Sequence, residues 1–147
     1  MRNILLGLVF SLFVSGCASI NNASSVVLYQ EYSQYERGAN RGNIIEVGSR
    51  FFTQSLLGKD YQTNPDATNQ LLFKNYMVST DSHHEKTNEQ EGCLTINGYD
   101  EDRSPLIFNL KYISINGRWL IDKIHVVFVE NSNDFVYSAK CPDEYPQ

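Results

Sequence analysis

The spacing of apolar residues changes along the chain from the period of a helix to the period of a strand. In the N-terminal half, apolar residues recur every three or four positions, which predicts three amphipathic helices, over residues 26–35, 44–57 and 64–76. We expect residues 44–57 to form one continuous helix, because Asn43 and Glu46 can make a capping box at its start.

The C-terminal half alternates between apolar and polar residues, as half-buried strands do. Before this alternation begins, the polar run over residues 80–92 predicts a loop. Four strands are expected after the loop, over residues 93–99, 106–115, 119–129 and 135–139. The pair Asn116–Gly117 predicts a two-residue hairpin turn, since both residue types tolerate positive φ.

A two-residue turn also sets the register of the hairpin that it closes. We expect these cross-strand pairs: Ile113 with Leu120, Tyr112 with Ile121, Lys111 with Asp122, and Phe108 with His125. The charges of Lys111 and Asp122 are opposite, which favours this register slightly.

Helices followed by an antiparallel sheet predict an α+β domain, with N-terminal helices packed on a curved sheet of about four strands. The helix over 44–57 and the hairpin YISINGRWLIDKIHVVF, with its phrase G-x-W-x-I-x-x-I, resemble the NTF2-like (cystatin-like) fold. The resemblance implies that an enzyme of this kind would hold a carboxylate in a deep pocket. Asp122 is the catalytic candidate, as the one strand-centred carboxylate after Leu106, and Lys111 is expected to neutralise it.

The N-terminal segment has a positive start at Arg2 and a short apolar run from Ile4 to Val14. This run is shorter than the roughly 20 apolar residues that span a bilayer, so it is typical of a signal peptide. Its exit, Val-Ser-Gly followed by Cys17, resembles a bacterial lipobox. That resemblance implies a diacylglyceryl group on the Cys17 thiol, cleavage before Cys17, and acylation of the new amine, commonly by palmitate.

The lipobox divides the chain into three parts. Residues 1–16 are the expected lipoprotein signal peptide, residues 17–25 are the lipidated cysteine and a flexible tether, and residues 26–147 are a single α+β domain. Ala18, rather than an aspartate, follows the cysteine. By the same resemblance, this favours the outer membrane, with the domain facing the periplasm.

Two cysteines remain once Cys17 carries lipid. Because the periplasm is oxidising, we expect a disulfide between Cys93 and Cys141. In a plain meander the first and fourth expected strands lie about 14 Å apart, whereas a disulfide needs Cα atoms within about 7 Å. Either the tail that carries Cys141 folds back, or the strand order is not the simple one.

Charge and motif spacing exclude several classes of function. The formal net charge is −5, or −6 without Arg2, and the chain has no basic cluster, so we expect no nucleic-acid partner. Adjacent His83 and His84 point to opposite sides of an extended chain, and His125 has no partner at a metal-ligand spacing, so we expect no metal. The acidic run 100–102 indicates a solvated turn. No motif indicates a catalytic residue or a cofactor.

Both faces of the hairpin carry apolar residues, and the helices can cover only one of them. The candidate binding face consists of Phe108, Tyr112, Trp119 and Ile121. We therefore expect a non-catalytic envelope lipoprotein that binds a protein partner, a second copy of itself or an apolar ligand. One alternative is an immunity or inhibitor lipoprotein whose acidic charge suits a basic toxin or wall hydrolase. The other is an NTF2-like enzyme that uses a pocket carboxylate.

Replacing Cys17 with alanine removes the thiol that would accept the lipid. We expect the variant to leave the membrane fraction or to remain uncleaved, as measured by fractionation and by the intact mass of the protein. A Cys93→Ala/Cys141→Ala variant keeps Cys17 and should stay in the membrane fraction. Normal cleavage and membrane retention of the Cys17→Ala variant would contradict the lipobox.

Overall fold

The computed structural model describes residues 27–146, which form four short α-helices followed by a four-stranded antiparallel sheet. This confirms the α+β class and the number of strands. Cys17, the expected signal peptide and nearly all of the expected tether and its boundary lie outside the described residues.

The first helix, α1, spans Leu28–Gly38 and confirms the helix expected there. Leu28, Tyr32 and Tyr35 lie on its buried side. The hydroxyl of Tyr35 donates a hydrogen bond of 2.6 Å to the carbonyl oxygen of Leu71, which ties α1 to the other helices.

The continuous helix expected over 44–57 is wrong. The segment contains α2 (Ile44–Val47), a 3-10 helix (Gly48–Arg50), an extended stretch at Phe52, and α3 (Gln54–Leu57). At its start, the side chain of Asn43 makes no helix cap.

The break has a tertiary cause, because residues 51–53 bind the edge of the sheet instead of continuing the helix. The Thr53 amide donates to the carbonyl of Ile121 at 2.9 Å, and the Ile121 amide donates to the carbonyl of Phe51 at 2.8 Å. The Thr53 hydroxyl also accepts a hydrogen bond of 3.2 Å from the Leu56 amide and so caps α3. These hydrogen bonds override the local helical spacing.

The last helical region consists of α4 (Ala67–Leu71) and a 3-10 helix (Phe73–Tyr76). Leu71, Leu72 and Phe73 are buried, whereas Tyr76 is exposed. The helix predicted over 64–76 is therefore shorter and divided.

The sheet is formed by strands β1 (Ser79–Thr87), β2 (Glu91–Tyr99), β3 (Pro105–Ile115) and β4 (Arg118–Phe128), in the order β1-β2-β3-β4. Two strand expectations need correction. The polar run 80–92, expected to be a loop, contains β1, whose polar residues suit a strand at the edge of the sheet. Residues 135–139, expected to be the fourth strand, form no strand.

The hairpin turn between β3 and β4 is confirmed, since Asn116 and Gly117 both have positive φ, 52° and 75°. Near the turn the register is also as expected, with Ile113 opposite Leu120 and Tyr112 opposite Ile121.

Beyond Tyr112 a bulge shifts the hairpin register by one residue. The observed pairs are Lys111 with Lys123, Asn109 with His125, and Phe108 with Val126. The expected pairs of Lys111 with Asp122 and of Phe108 with His125 are therefore wrong. Asp122 is the extra residue, and its carboxylate accepts a hydrogen bond of 2.7 Å from the Thr53 hydroxyl.

The inner face of the sheet packs against the helices and supplies most of the core. Its buried residues are Leu94, Ile96, Leu106, Phe108, Leu110, Tyr112 and Ile121. The outer face is covered instead by residues 135–146, which we call the C-terminal strap. Phe135 and Pro142 of the strap are buried.

The expected disulfide between Cys93 and Cys141 is present and holds the strap against β2, with Cα atoms 5.2 Å apart. Because β1 precedes β2, Cys93 lies on an inner strand, and the tail folds back across it. Beside the disulfide, the Lys140 amide donates to the hydroxyl of Thr95 at 2.9 Å, and the side-chain amide of Asn97 donates to the carbonyl of Val136 at 2.9 Å. These contacts answer the distance conflict that the sequence raised.

Ion pairs attach the end of the strap to the sheet. Lys123 and Lys111 reach Asp143 at 2.6 and 3.3 Å, and Lys86 reaches Glu144 at 2.6 Å. The hydrogen bond from Lys123 lowers the pKa of Asp143, and the hydrogen bond from Lys86 lowers the pKa of Glu144. A lowered folded-state pKa means that these pairs stabilise the strap above the ordinary carboxyl pKa and stop doing so as the pH falls through the lowered value.

A Cys93→Ser/Cys141→Ser variant should unfold more easily, because the disulfide closes a loop of 48 residues in the unfolded chain. The chain-entropy model gives a loss of about 4 kcal/mol in the free energy of unfolding. Urea unfolding of the variant and of the oxidised protein measures the difference, with the reduced native protein as the control. An unchanged midpoint would contradict a stabilising role for the strap attachment.

Candidate functional site

A cavity of about 380 Å³ lies between α1, the end of the 3-10 helix at Arg50, and the β3–β4 hairpin. We call it the α1 cavity. Its lining includes polar and aromatic side chains: Glu31, Gln34, Arg50, Tyr112, Arg118 and Trp119. The volume is within the range of about 300–1,000 Å³ typical of small-molecule sites.

Three local features bring these side chains to the cavity. Glu31 and Gln34 are three residues apart on α1 and therefore share one side of the helix. Arg50 reaches the cavity because the chain leaves its helical path just before Phe52. Arg118 directly follows the positive-φ turn, so the geometry of the turn places it at the cavity.

Tyr112 is the most deeply buried polar side chain that lines the α1 cavity. Its residue is only 1% exposed, and its hydroxyl has no hydrogen-bond partner among residues 27–146. Burial raises the pKa of Tyr112 well above the ordinary value, and the charges of Tyr32 and Glu31 add to the rise. The hydroxyl therefore stays protonated at physiological pH, and an unpartnered buried hydroxyl of this kind costs roughly 1–3 kcal/mol.

Two other buried polar atoms have no hydrogen-bond partner within the described part of the chain, namely His84 Nε2 and Asn109 Nδ2. Both residues lie on the outer face of the sheet, because they pair with Thr95 and His125 in its register. Tyr112 is therefore the one of the three whose residue lines the α1 cavity.

The charged residues of the α1 cavity have no ion-pair partners in the segment 27–146. All four ion pairs found there involve a lysine: Lys86, Lys111 or Lys123. Glu31, Arg50 and Arg118 take part in none of them. A carboxylate and two guanidinium groups thus surround one cavity without neutralising each other by direct contact.

A second concave surface, the apolar groove, lies between β4 and residues 56–76, with a volume of about 420 Å³. Its lining is mostly apolar and includes Leu56, Leu57, Leu71, Phe73, Ile124 and Val126. Tyr76 lines the groove and is 53% exposed, and its ring makes an edge contact with the 59% exposed ring of Phe128. The groove therefore has an exposed aromatic rim at an edge strand of the sheet.

The binding face expected from the sequence is not an exposed surface. Phe108, Tyr112 and Ile121 are buried in the core, and Trp119 is half-buried against it. The helices cover this face, so its expected exposure is wrong. Tyr112, Trp119 and Ile121 nevertheless meet at the wall of the α1 cavity.

The other sequence candidates lie elsewhere. Asp122 is bonded to Thr53 and does not line the α1 cavity. His83 stacks on Tyr29 with ring centroids 3.8 Å apart, and His125 makes an edge contact with Tyr145. Within residues 27–146, no group of three or more histidine, cysteine, aspartate or glutamate residues is placed to hold a metal ion.

Sequence reasoning did not identify Glu31, Gln34, Arg50 or Arg118. The turn at Asn116–Gly117 was the only local signal that could have pointed to Arg118. Arg50 gave no signal, since it lay inside the expected helix.

Comparisons with known proteins give no relative: no family model, no curated protein and no solved structure matches the chain. Over the described range, no helix has the length and apolar character needed to span a membrane.

Replacing Tyr112 with phenylalanine removes the unpartnered hydroxyl and keeps the ring. We expect the free energy of unfolding to stay constant or to rise by about 1 kcal/mol, measured by urea titration. Tyr35→Phe is the matched control, because the Tyr35 hydroxyl is bonded to the Leu71 carbonyl, and its loss should lower the free energy of unfolding by about 1–2 kcal/mol. Equal destabilisation by both variants would show that the Tyr112 hydroxyl is satisfied within the fold.

Proposed function

We propose that this protein is a lipoprotein anchored in the outer membrane, whose NTF2-like domain faces the periplasm and binds an envelope protein without catalysing a reaction. The disulfide carries the cellular part of this proposal. It uses Cys93 and Cys141, so Cys17 is the one cysteine left for lipid. A structural disulfide also fits an oxidising compartment such as the periplasm.

The apolar groove supports a protein partner. Its rim exposes the aromatic rings of Tyr76 and Phe128, and Val78 beside Met77 is 61% exposed. Aromatic side chains are enriched at protein interfaces, where they bury much area with few rotatable bonds. The occupant that fits this groove is an apolar segment of another envelope protein.

The domain family remains a proposal at the level of NTF2-like. Four antiparallel strands with short helices on the inner face support it, and the hairpin carries the G-x-W-x-I-x-x-I phrase between Gly117 and Ile124. The catalytic alternative relied on Asp122, and the bond between that carboxylate and Thr53 gives it no support.

Site-specific photocrosslinking in living cells tests the groove. A photoreactive residue in place of Phe128 should give a defined adduct with one envelope protein, identified by mass spectrometry. The matched control is Tyr137, which is 82% exposed but belongs to the C-terminal strap on the other face of the sheet. A Tyr76→Ser change should reduce the adduct at position 128, because it removes part of the aromatic rim.

The same adducts at positions 128 and 137, or none at 128, would contradict the proposed partner site. An adduct of two copies of this chain would identify the occupant as a second copy and would replace the foreign partner in the proposal.

A further inference from the structure

We propose that the α1 cavity binds a small zwitterion, such as a free amino acid or a short peptide with both ends free. Its ammonium group would lie at the inner end with Tyr112 and Glu31, and its carboxylate at the outer end with Arg50 and Arg118. This site is separate from the apolar groove, so either proposal can fail while the other stands.

The inner end of the cavity favours a hydrogen-bond donor with positive charge. The buried oxygen of Tyr112 has lone pairs that no group in residues 27–146 uses. Glu31 lines the same cavity, and its carboxylate makes the surroundings of this oxygen more negative. A ligand ammonium can therefore donate to Tyr112 while Glu31 balances its charge.

The outer end favours an anion. Arg50 and Arg118 come from different elements, are both exposed, and both line the cavity. A guanidinium group binds a carboxylate through two parallel hydrogen bonds, and both guanidinium groups lack a carboxylate partner in the described segment. The tight turn before Arg118 limits the freedom of its backbone.

A ligand with both charges fits the cavity better than a ligand with one. An anion alone would enter a site that contains Glu31, and a cation alone would leave two arginines unpaired. The remaining wall is apolar and aromatic, formed by Phe51, Trp119 and Ile121. This wall suits an apolar or aromatic side chain, so L-phenylalanine is the first probe.

Isothermal titration of the full-length lipoprotein in detergent tests the site with four probes. L-phenylalanine has both charges, N-acetyl-L-phenylalanine lacks the ammonium, and L-phenylalaninamide lacks the carboxylate. We expect each blocked analogue to bind about tenfold more weakly than L-phenylalanine. The dipeptide L-alanyl-L-phenylalanine separates the two sources, since tighter binding of the dipeptide identifies a peptide and weaker binding identifies a free amino acid.

Variants assign each end of the ligand to its residues. Glu31→Gln should weaken L-phenylalanine and its amide about tenfold and leave the acetylated probe unchanged. Arg118→Gln should weaken L-phenylalanine and the acetylated probe and leave the amide unchanged. Tyr112→Phe should also weaken L-phenylalanine, and it is expected to fold.

The control variant is Glu36→Gln, which removes an exposed carboxylate of α1 that does not line the cavity and should not change binding. Urea unfolding of every variant checks that the fold is intact. Three results would each overturn the proposal: no saturable binding of L-phenylalanine or the dipeptide at millimolar concentration, equal binding of L-phenylalanine and N-acetyl-L-phenylalanine, or equal effects of Glu31→Gln and Glu36→Gln.

Discussion

Two backbone hydrogen bonds between residues 51–53 and Ile121 determine much of the architecture of this domain. They satisfy peptide groups at the edge of β4 that would otherwise need water, and they do so with a segment whose own spacing is helical. The helix is divided as a result. The division brings Arg50 to the α1 cavity and places Thr53 where it can bind Asp122, the extra residue of the β4 bulge.

The outer face of the sheet is held by different interactions. Here a disulfide, the side chains of Thr95 and Asn97, and surface ion pairs attach a strap that has no regular secondary structure over most of its length. Thr95, Asn97 and Asn109 are fully buried, which polar residues tolerate only with partners. The two faces thus differ in chemistry: apolar packing holds the helices, and polar contacts hold the strap.

The sequence predicted those features that depend on neighbouring residues. These include α1, the strands from β2 to β4, and the turn at Asn116–Gly117, because periodicity and turn chemistry are local. The failures were tertiary. Strand β1 is polar because it lies at an edge, and the bulge at Asp122 depends on Thr53, which is 69 residues away. The α1 cavity could not be predicted, since its charged residues meet only after both the helix break and the hairpin have formed.

The two edges of the sheet are unequal, and this limits how the domain can assemble. Along β1 the outermost side chains are polar or charged, as in strands that resist pairing with another chain. Along β4, residues 51–53 cover the backbone near Ile121, while Phe128 remains exposed at the end of the strand. A sheet with one resistant edge can extend on one side only. Edge pairing between two such domains would use both open edges at once, so the assembly would close as a pair and could not grow into a fibre.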